Sequence, residues 1–202
     1  MDDDGQKARP GKKWQQKQKK APRPLDTRQL DEMALGYVAR FATSAGRLTA
    51  YLKRKIRERG WDGDTPPDLA SVVDRLVALR YIDDAGFAQA RGAGLMRKGY
   101  GARRISETLA RDGIAAPLIA EASGGELERR TAALEFARRK RLGPFGRGSG
   151  DGGDSVRLDP ATRTKQVAAM MRAGHPLASA RAMVEAVTGT AAQEWVDEAD
   201  DS

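Results

Sequence analysis

The sequence predicts an all-α fold: an elongated, solenoid-like stack of three tandem three-helix repeats. Three observations predict it. Every apolar pattern in the chain has the ~3.6-residue period of a helix. Only eleven residues are aromatic (four Phe, three Trp, four Tyr) while alanine abounds. That composition suits helices packed through small side chains better than a β-sandwich. The middle helices also close on glycines at a shared spacing. Leu52, Ile56 and Gly60 are spaced four and four, as are Ile105, Leu109 and Gly113. Met170 and Gly174 keep the spacing, with Gln166 at the first position and Val167 beside it. Units of this kind bury faces against their neighbours as a short solenoid.

Residues 1–24 are polar, Lys/Gln-rich and aperiodic, and are expected to be disordered, with Trp14 as a stray exposed aromatic. The first repeat, 25–82, opens with Leu30, Ala34, Tyr37, Val38 and Phe41 on one helical face. Ser44 caps a second helix carrying Leu48, Leu52 and Ile56. Trp61–Asp64 is a loop. Thr65-Pro66-Pro67-Asp68 then predicts a helix start with Thr65 as cap, followed by a stripe of Leu69, Val72, Val73, Leu76 and Leu79.

The second repeat, 83–124, has helices near 84–98, 101–112 and 116–122. Asp83 and Asp84 stand at the first helix's N-terminus, where carboxylates satisfy free N–H groups. The Gly99-Tyr100-Gly101 run breaks that helix, and Gly113 ends the next as a C′ residue. The third repeat, 125–189, has helices near 126–141, 160–173 and 176–188, with a Gly-rich loop at 143–155. Six glycines in Gly143–Gly153 argue against regular structure there, and no phosphate-loop motif is present. Residues 190–202 form an acidic tail.

The charge is uneven. The chain carries 36 Lys/Arg and 28 Asp/Glu, a net +8. Residues 1–24 hold eight bases against three acids, and 190–202 hold five acids and no base. A basic body of this kind points to a polyanion or an acidic protein groove. With no cysteine, thiol catalysis is excluded and a reducing cytoplasm is the expected setting. One histidine, His175, lies at a turn with no nucleophile near it in sequence. Asp83-Asp84 reads as a cap rather than a metal pair. No catalytic residue, metal site or cofactor is expected, and no run reaches the ~20 apolar residues of a membrane span.

The cations concentrate in two places. Arg97, Lys98, Arg103 and Arg104 flank the Gly99–Gly101 turn, with Arg111 two turns on, and Arg138-Arg139-Lys140-Arg141 ends the next helix. Four in succession wrap more of a helix than capping requires. These nine are the candidate binding residues. A second run, Lys53, Arg54, Lys55, Arg57 and Arg59, reads more simply as a solvated face.

The run Tyr81-Ile82-Asp83-Asp84, Phe87-Ala88, Gly99-x-Gly101-x-Arg103-Arg104-Ile105, Leu109 and Gly113-Ile114 resembles the central repeat of the RecX family, bacterial regulators of the recombinase RecA. Lys140-Arg141-Leu142-Gly143-Pro144-Phe145 and Met171–His175 are similar to further RecX stretches. The glycine insertion lies outside the family pattern. The resemblance implies a curved stack of three-helix repeats that binds the RecA–DNA filament. It also implies modulation, mostly inhibition, of recombinase and coprotease activity in recombinational repair and the SOS response. It implies a monomeric, non-enzymatic, cytoplasmic protein with RecA filament and single- or double-stranded DNA as partners. The competing reading is a sequence-nonspecific DNA-binding helical protein acting without RecA. The 101–112 helix offers arginines but no Asn or Gln to read adenine, so base-specific readout is not expected.

Overall fold

Helices form where the apolar period and the caps coincide. The computed structural model describes residues 23–146 and 158–199. Among them it has ten α-helices and no strand pairing beyond an isolated Leu25–Trp61 bridge. Residues 1–22, the centre of the glycine loop and the last three residues lie outside the described set.

In unit 1, α1 (Thr27–Val38) starts where the Asp26 carboxylate accepts from the Gln29 N–H at 2.7 Å. The Ser44 hydroxyl does the same for α2 (Ala45–Arg59). The third helix, α3, spans Leu69–Ala78 and is capped by Asp68, which accepts from Ser71 N–H at 3.0 Å. Thr65 was the expected cap. Its carbonyl instead accepts from the Trp61 indole at 2.7 Å, which holds Thr65 in the loop. Leu30, Ala34, Leu48, Leu52, Val72, Val73, Leu76 and Ile82 make this unit's core. Leu79 belongs to the predicted stripe but is 60% exposed, because the helix stops at Ala78 and its period no longer applies. Phe41 and Tyr81 are likewise exposed beyond helix ends.

Unit 2 comprises α4 (Asp84–Arg97), α5 (Ala102–Arg111) and α6 (Ala116–Ala122) around Ala88, Ile105, Leu109, Ile114 and Ala122. The Asp83 carboxylate caps α4 through Gly86 N–H. Gly113 closes α5 at φ +79, a conformation in which an L side chain is strained.

Unit 3 comprises α7 (Glu126–Lys140), a single 3₁₀ turn (Gly143–Phe145), α8 (Pro160–Arg172), α9 (Leu177–Glu185) and α10 (Gly189–Asp197). The 3₁₀ turn orders the start of the segment read as a glycine loop. Gly143 sits there at φ +53 and its N–H donates to Gln166 Oε1 at 2.7 Å. The polar residue that interrupts the internal repeat therefore anchors this turn. The tenth helix replaces most of the expected acidic tail. Thr188 caps it, and Ala192 and Val196 bury against α7 and α9 because one side of this acidic segment is apolar. Arg130 secures it, donating to the Trp195 carbonyl at 2.7 Å and lying 4.5 Å from that residue's ring.

The three second helices meet end to end. The N–H groups of Gly101 and Arg103, at the start of α5, donate to the Ala173 and Gly174 carbonyls that close α8, at 3.0 and 3.3 Å. At the start of α2, the Ser44 hydroxyl donates to the Asp112 carbonyl that closes α5. Each helix's free amides or cap thus meet the carbonyl end of the next, an arrangement that also opposes dipoles of unlike sign. Close approach needs glycine on both sides. A Cβ on Gly46 would stand 2.6 Å from Gly113 Cα, and one on Gly101 would meet the Gly174 carbonyl and His175 N. At the far end of α2, Leu25 N–H donates to the Gly60 carbonyl at 3.0 Å, so the chain's own segment closes the series.

Candidate polyanion interface

The joint between units 2 and 3 gathers most of the cations singled out in the sequence. Arg97 and Lys98 close α4, while Arg139 and Lys140 close α7. Gly99, at φ +71, lies so close to α7 that an added Cβ would meet Phe136 N at 2.7 Å. The two cationic helix ends are thereby set side by side. Among the described residues, Arg97, Lys98, Lys140 and Arg141 have exposed side chains with no hydrogen-bond or ion-pair partner. Arg139 lies over the Phe136 ring at 5.7 Å. Arg141 is held left-handed at φ 55, where its N–H donates to the Arg138 carbonyl and stops α7.

Arg103 and Arg104 follow directly at the start of α5. Arg103 donates to the Met171 carbonyl at 2.8 Å, and both residues lie 4.0 Å from Glu107 carboxylate oxygens. Those ion pairs are long and exposed, and contribute little.

Two predicted residues sit apart. Arg111 is at the other end of α5, roughly 11 Å along the axis from Arg104 by helical rise, and folds back onto the Glu107 carbonyl at 2.9 Å. Arg138 turns toward α10, donating to Gln193 Oε1 at 3.1 Å. The cationic run on α2 is partly used up by Glu58, which takes Lys55 at 2.6 Å and Arg54 at 3.6 Å. The hydrogen bond from Lys55 holds the Glu58 carboxyl below its usual range.

His175 ties the joint together. It is 4% exposed, and its Nε2 lies 3.0 Å from the Gly99 carbonyl. A carbonyl only accepts, so Nε2 carries the proton and donates. The ring also tilts against Phe136 at 5.6 Å between centroids. Burial pushes the imidazole below the usual histidine range, against a smaller opposing effect of the Gly99 bond. The turn role read from sequence understates this residue.

Sequence reasoning also missed Arg47 and Arg91. Arg47 reaches Asp112 across the joint between units 1 and 2 at 3.8 Å, and Arg91 holds the same carboxylate from α4, within unit 2, at 3.3 Å. They are far apart in sequence: the meeting of α2 with the end of α5 brings in Arg47, and the packing of α4 on α5 brings in Arg91. Asp84 sits at the same place, accepting from Ala45 N–H at 2.9 Å, so one member of the acidic pair joins units rather than capping its own helix.

No group of three or more His, Cys, Asp or Glu is placed to hold a metal ion among the described residues, and none of their helices is long and apolar enough to cross a membrane. Fold and site together define an all-α protein of stacked three-helix units with an exposed cationic joint. Residues 83–122 match the model of the RecX second three-helix domain. The regulatory protein RecX of Myxococcus xanthus (strain DK1622) is 28% identical over 178 residues, covering 82% of this chain and 89% of that protein. The regulatory protein RecX of Mycobacterium sp. (strain JLS) is 35% identical over 95 residues, 46% of this chain and 50% of its own. The crystal structure of RecX from Lactobacillus salivarius superposes with a TM-score of 0.58 at 13% identity, over 79% of this chain and 94% of its own. A second crystal structure of regulatory protein RecX gives 0.56 at 18% identity, over 79% and 73%. These similarities in sequence and fold support a place for the chain in the RecX family.

Proposed function

We propose that this protein binds the RecA–DNA filament and restrains its recombinase and coprotease activities, acting as a non-enzymatic cytoplasmic regulator in recombinational repair and the SOS response. The observation that carries the reading is the side-by-side setting of the α4 and α7 cationic ends, continued by Arg103 and Arg104. Several of these cations have no internal partner and are free to meet phosphate or acidic protein surface. A filament repeats its subunits, so modest contacts from successive units act together.

Reversing Arg103 and Arg104 to Glu tests this. Both side chains are exposed, so the double variant keeps its helical spectrum, with a melting temperature lowered only by loss of the exposed Arg103–Met171 bond. Its inhibition of RecA strand exchange and ATP hydrolysis on single-stranded DNA is expected to weaken. Full inhibition by the folded variant would remove these residues from the site. Equal binding of free DNA with no effect on RecA would favour a DNA-binding protein that acts alone.

A further inference from the structure

We propose that the groove between α8 and α9 docks an acidic amphipathic helix of a protein partner. The groove encloses about 520 Å³ and is lined by Arg163, Thr164, Val167, Ala168, Met171, Leu177, Arg181 and Glu185. Its floor is apolar and open to solvent: Met171 is 39% and Leu177 42% exposed, although both belong to apolar helix patterns. Its edges are cationic. Arg163 makes only a loose contact with Glu185 at 4.0 Å, both half-exposed. Among the described residues Arg181 has no partner, nor do Lys165 and Arg172 on the exposed side of α8.

An apolar floor between cations complements a helix with one apolar stripe and flanking carboxylates. Methionine in such a floor adapts to varied apolar partners. Nucleic acid fits less well. The lining holds no aromatic ring on which a base stacks, and phosphates gain nothing from Val167, Met171 and Leu177. A second apolar groove, between α1 and α3, offers no such complement, since Arg75 is already paired with Asp31 at 2.6 Å.

The groove adjoins the cationic joint, because Arg103 donates to the carbonyl of Met171, a groove residue. Phosphate and acidic protein surface would thus be met on neighbouring ground. The proposal deepens the filament reading and rests on it for its setting, but the binding site is tested without RecA.

The probe is a fluorescein-labelled helical peptide of about 18 residues, with Leu at i, i+3, i+4 and i+7 and Glu elsewhere. A scrambled peptide of the same composition and a single-stranded oligothymidylate serve as comparisons. By fluorescence anisotropy with the full chain, the amphipathic peptide is expected to bind more tightly than the scrambled one. Arg181→Glu and Leu177→Asp should each weaken it about tenfold or more, with oligothymidylate binding unchanged. Arg181→Glu alters only an exposed charge, so it decides the matter even where Leu177→Asp disturbs α9. Equal binding of both peptides, or peptide binding indifferent to Arg181→Glu, overturns the proposal. So does an equal loss of oligothymidylate binding, which would make the groove a nucleic-acid surface. A self-association seen by sedimentation and abolished by Leu177→Asp would assign the face to a second copy. Peptide binding without any effect on RecA would leave the groove standing and remove the filament reading.

Discussion

The two joints follow one plan and differ in chemistry. In both, a glycine near the start of one second helix faces the closing glycine of the next: Gly46 against Gly113, and Gly101 against Gly174. The second joint is made of backbone hydrogen bonds, the Gly99–Phe136 contact, buried His175 and extended packing of α4 on α7. The first is made of Ser44, Asp84, Arg47 and Asp112, the last also held by Arg91 from within unit 2, and no helix of unit 1 packs on unit 2 so extensively. Backbone bonds and buried rings are indifferent to salt, whereas half-exposed ion pairs are screened by it. Units 2 and 3 therefore behave as one body carrying the cationic joint, and unit 1 is attached by the more yielding contact.

Adding one methyl group at each joint breaks the comparison most sharply. Gly101 has an ordinary negative φ, so Gly101→Ala adds steric conflict without backbone strain. Its Cβ would meet the Gly174 carbonyl and His175 N, which the packing of α4 on α7 prevents from moving away. A loss of about 2–3 kcal/mol in urea denaturation is expected. Gly46→Ala brings its Cβ within 2.6 Å of Gly113 Cα, but the first joint can open to relieve it. A loss of about 1 kcal/mol or less is expected, at the low end of overpacking costs, with faster proteolysis between Arg80 and Asp84. Equal losses would show that the joints are equally rigid.

Acid should separate the joints next. The folded-state value of His175 is depressed, so its neutral form is the one the fold accepts. Stability is complete above the unfolded histidine value of about 6.5. It falls as pH drops below that, because the unfolded chain takes up a proton that the folded one resists. Thermal melting should show this loss in the wild type and not in His175→Gln. Hydrogen exchange should place it at α5, α7 and α8 rather than at α2. Protection lost first at Ser44–Leu48 would contradict this.

Much of this division was legible in the sequence, though not what each part opposes. Ser44 and Asp83 cap their helices as expected, and Gly60, Gly113 and Gly174 all take positive φ at helix ends. Local chemistry determines those features. The partner of each closing glycine is set by packing between residues some 70 positions apart, such as Gly46 and Gly113. Helical period also misleads past a helix end, which is why Leu79 and Tyr81 lie on the surface. The last helix was hidden because five acids between 190 and 202 mask the weak apolar edge of Ala192, Trp195 and Val196. Of the nine candidate cations, Arg97, Lys98, Arg103 and Arg104 are neighbours in sequence, whereas only the packing of α7 against Gly99 brings Arg139 and Lys140 toward them.

Asp112→Asn tests the electrostatic half of the comparison. The carboxylate is 16% exposed and serves arginines that are 39% and 45% exposed. A cost of roughly 1 kcal/mol is expected in low salt, shrinking in high salt, since both arginines remain largely solvated. A loss independent of salt would mean that Asp112 acts through its place in the turn rather than its charge.

The smallest expected effect concerns two arginines that follow helices in the left-handed conformation: Arg80 at φ 60, just past α3 in unit 1, and Arg141 at φ 55, beside the cationic joint. In each case the next residue's N–H donates back to the helix, Tyr81 to the Leu76 carbonyl and Leu142 to the Ala137 carbonyl, both at 2.9 Å. Glycine relieves the strain of that conformation but gives the unfolded chain more freedom. Each Arg→Gly change should therefore stabilise by only about 0.5 kcal/mol. Stability alone does not distinguish the two sites, whereas polyanion binding does. Arg141→Gly should lower the slope of log affinity against log salt for single-stranded DNA by about 0.7, the release expected from one phosphate contact, and Arg80→Gly should leave it unchanged. A slope unchanged in both would make Arg141 a helix stop alone, and would confine the interface to Arg97, Lys98, Arg103, Arg104, Arg139 and Lys140.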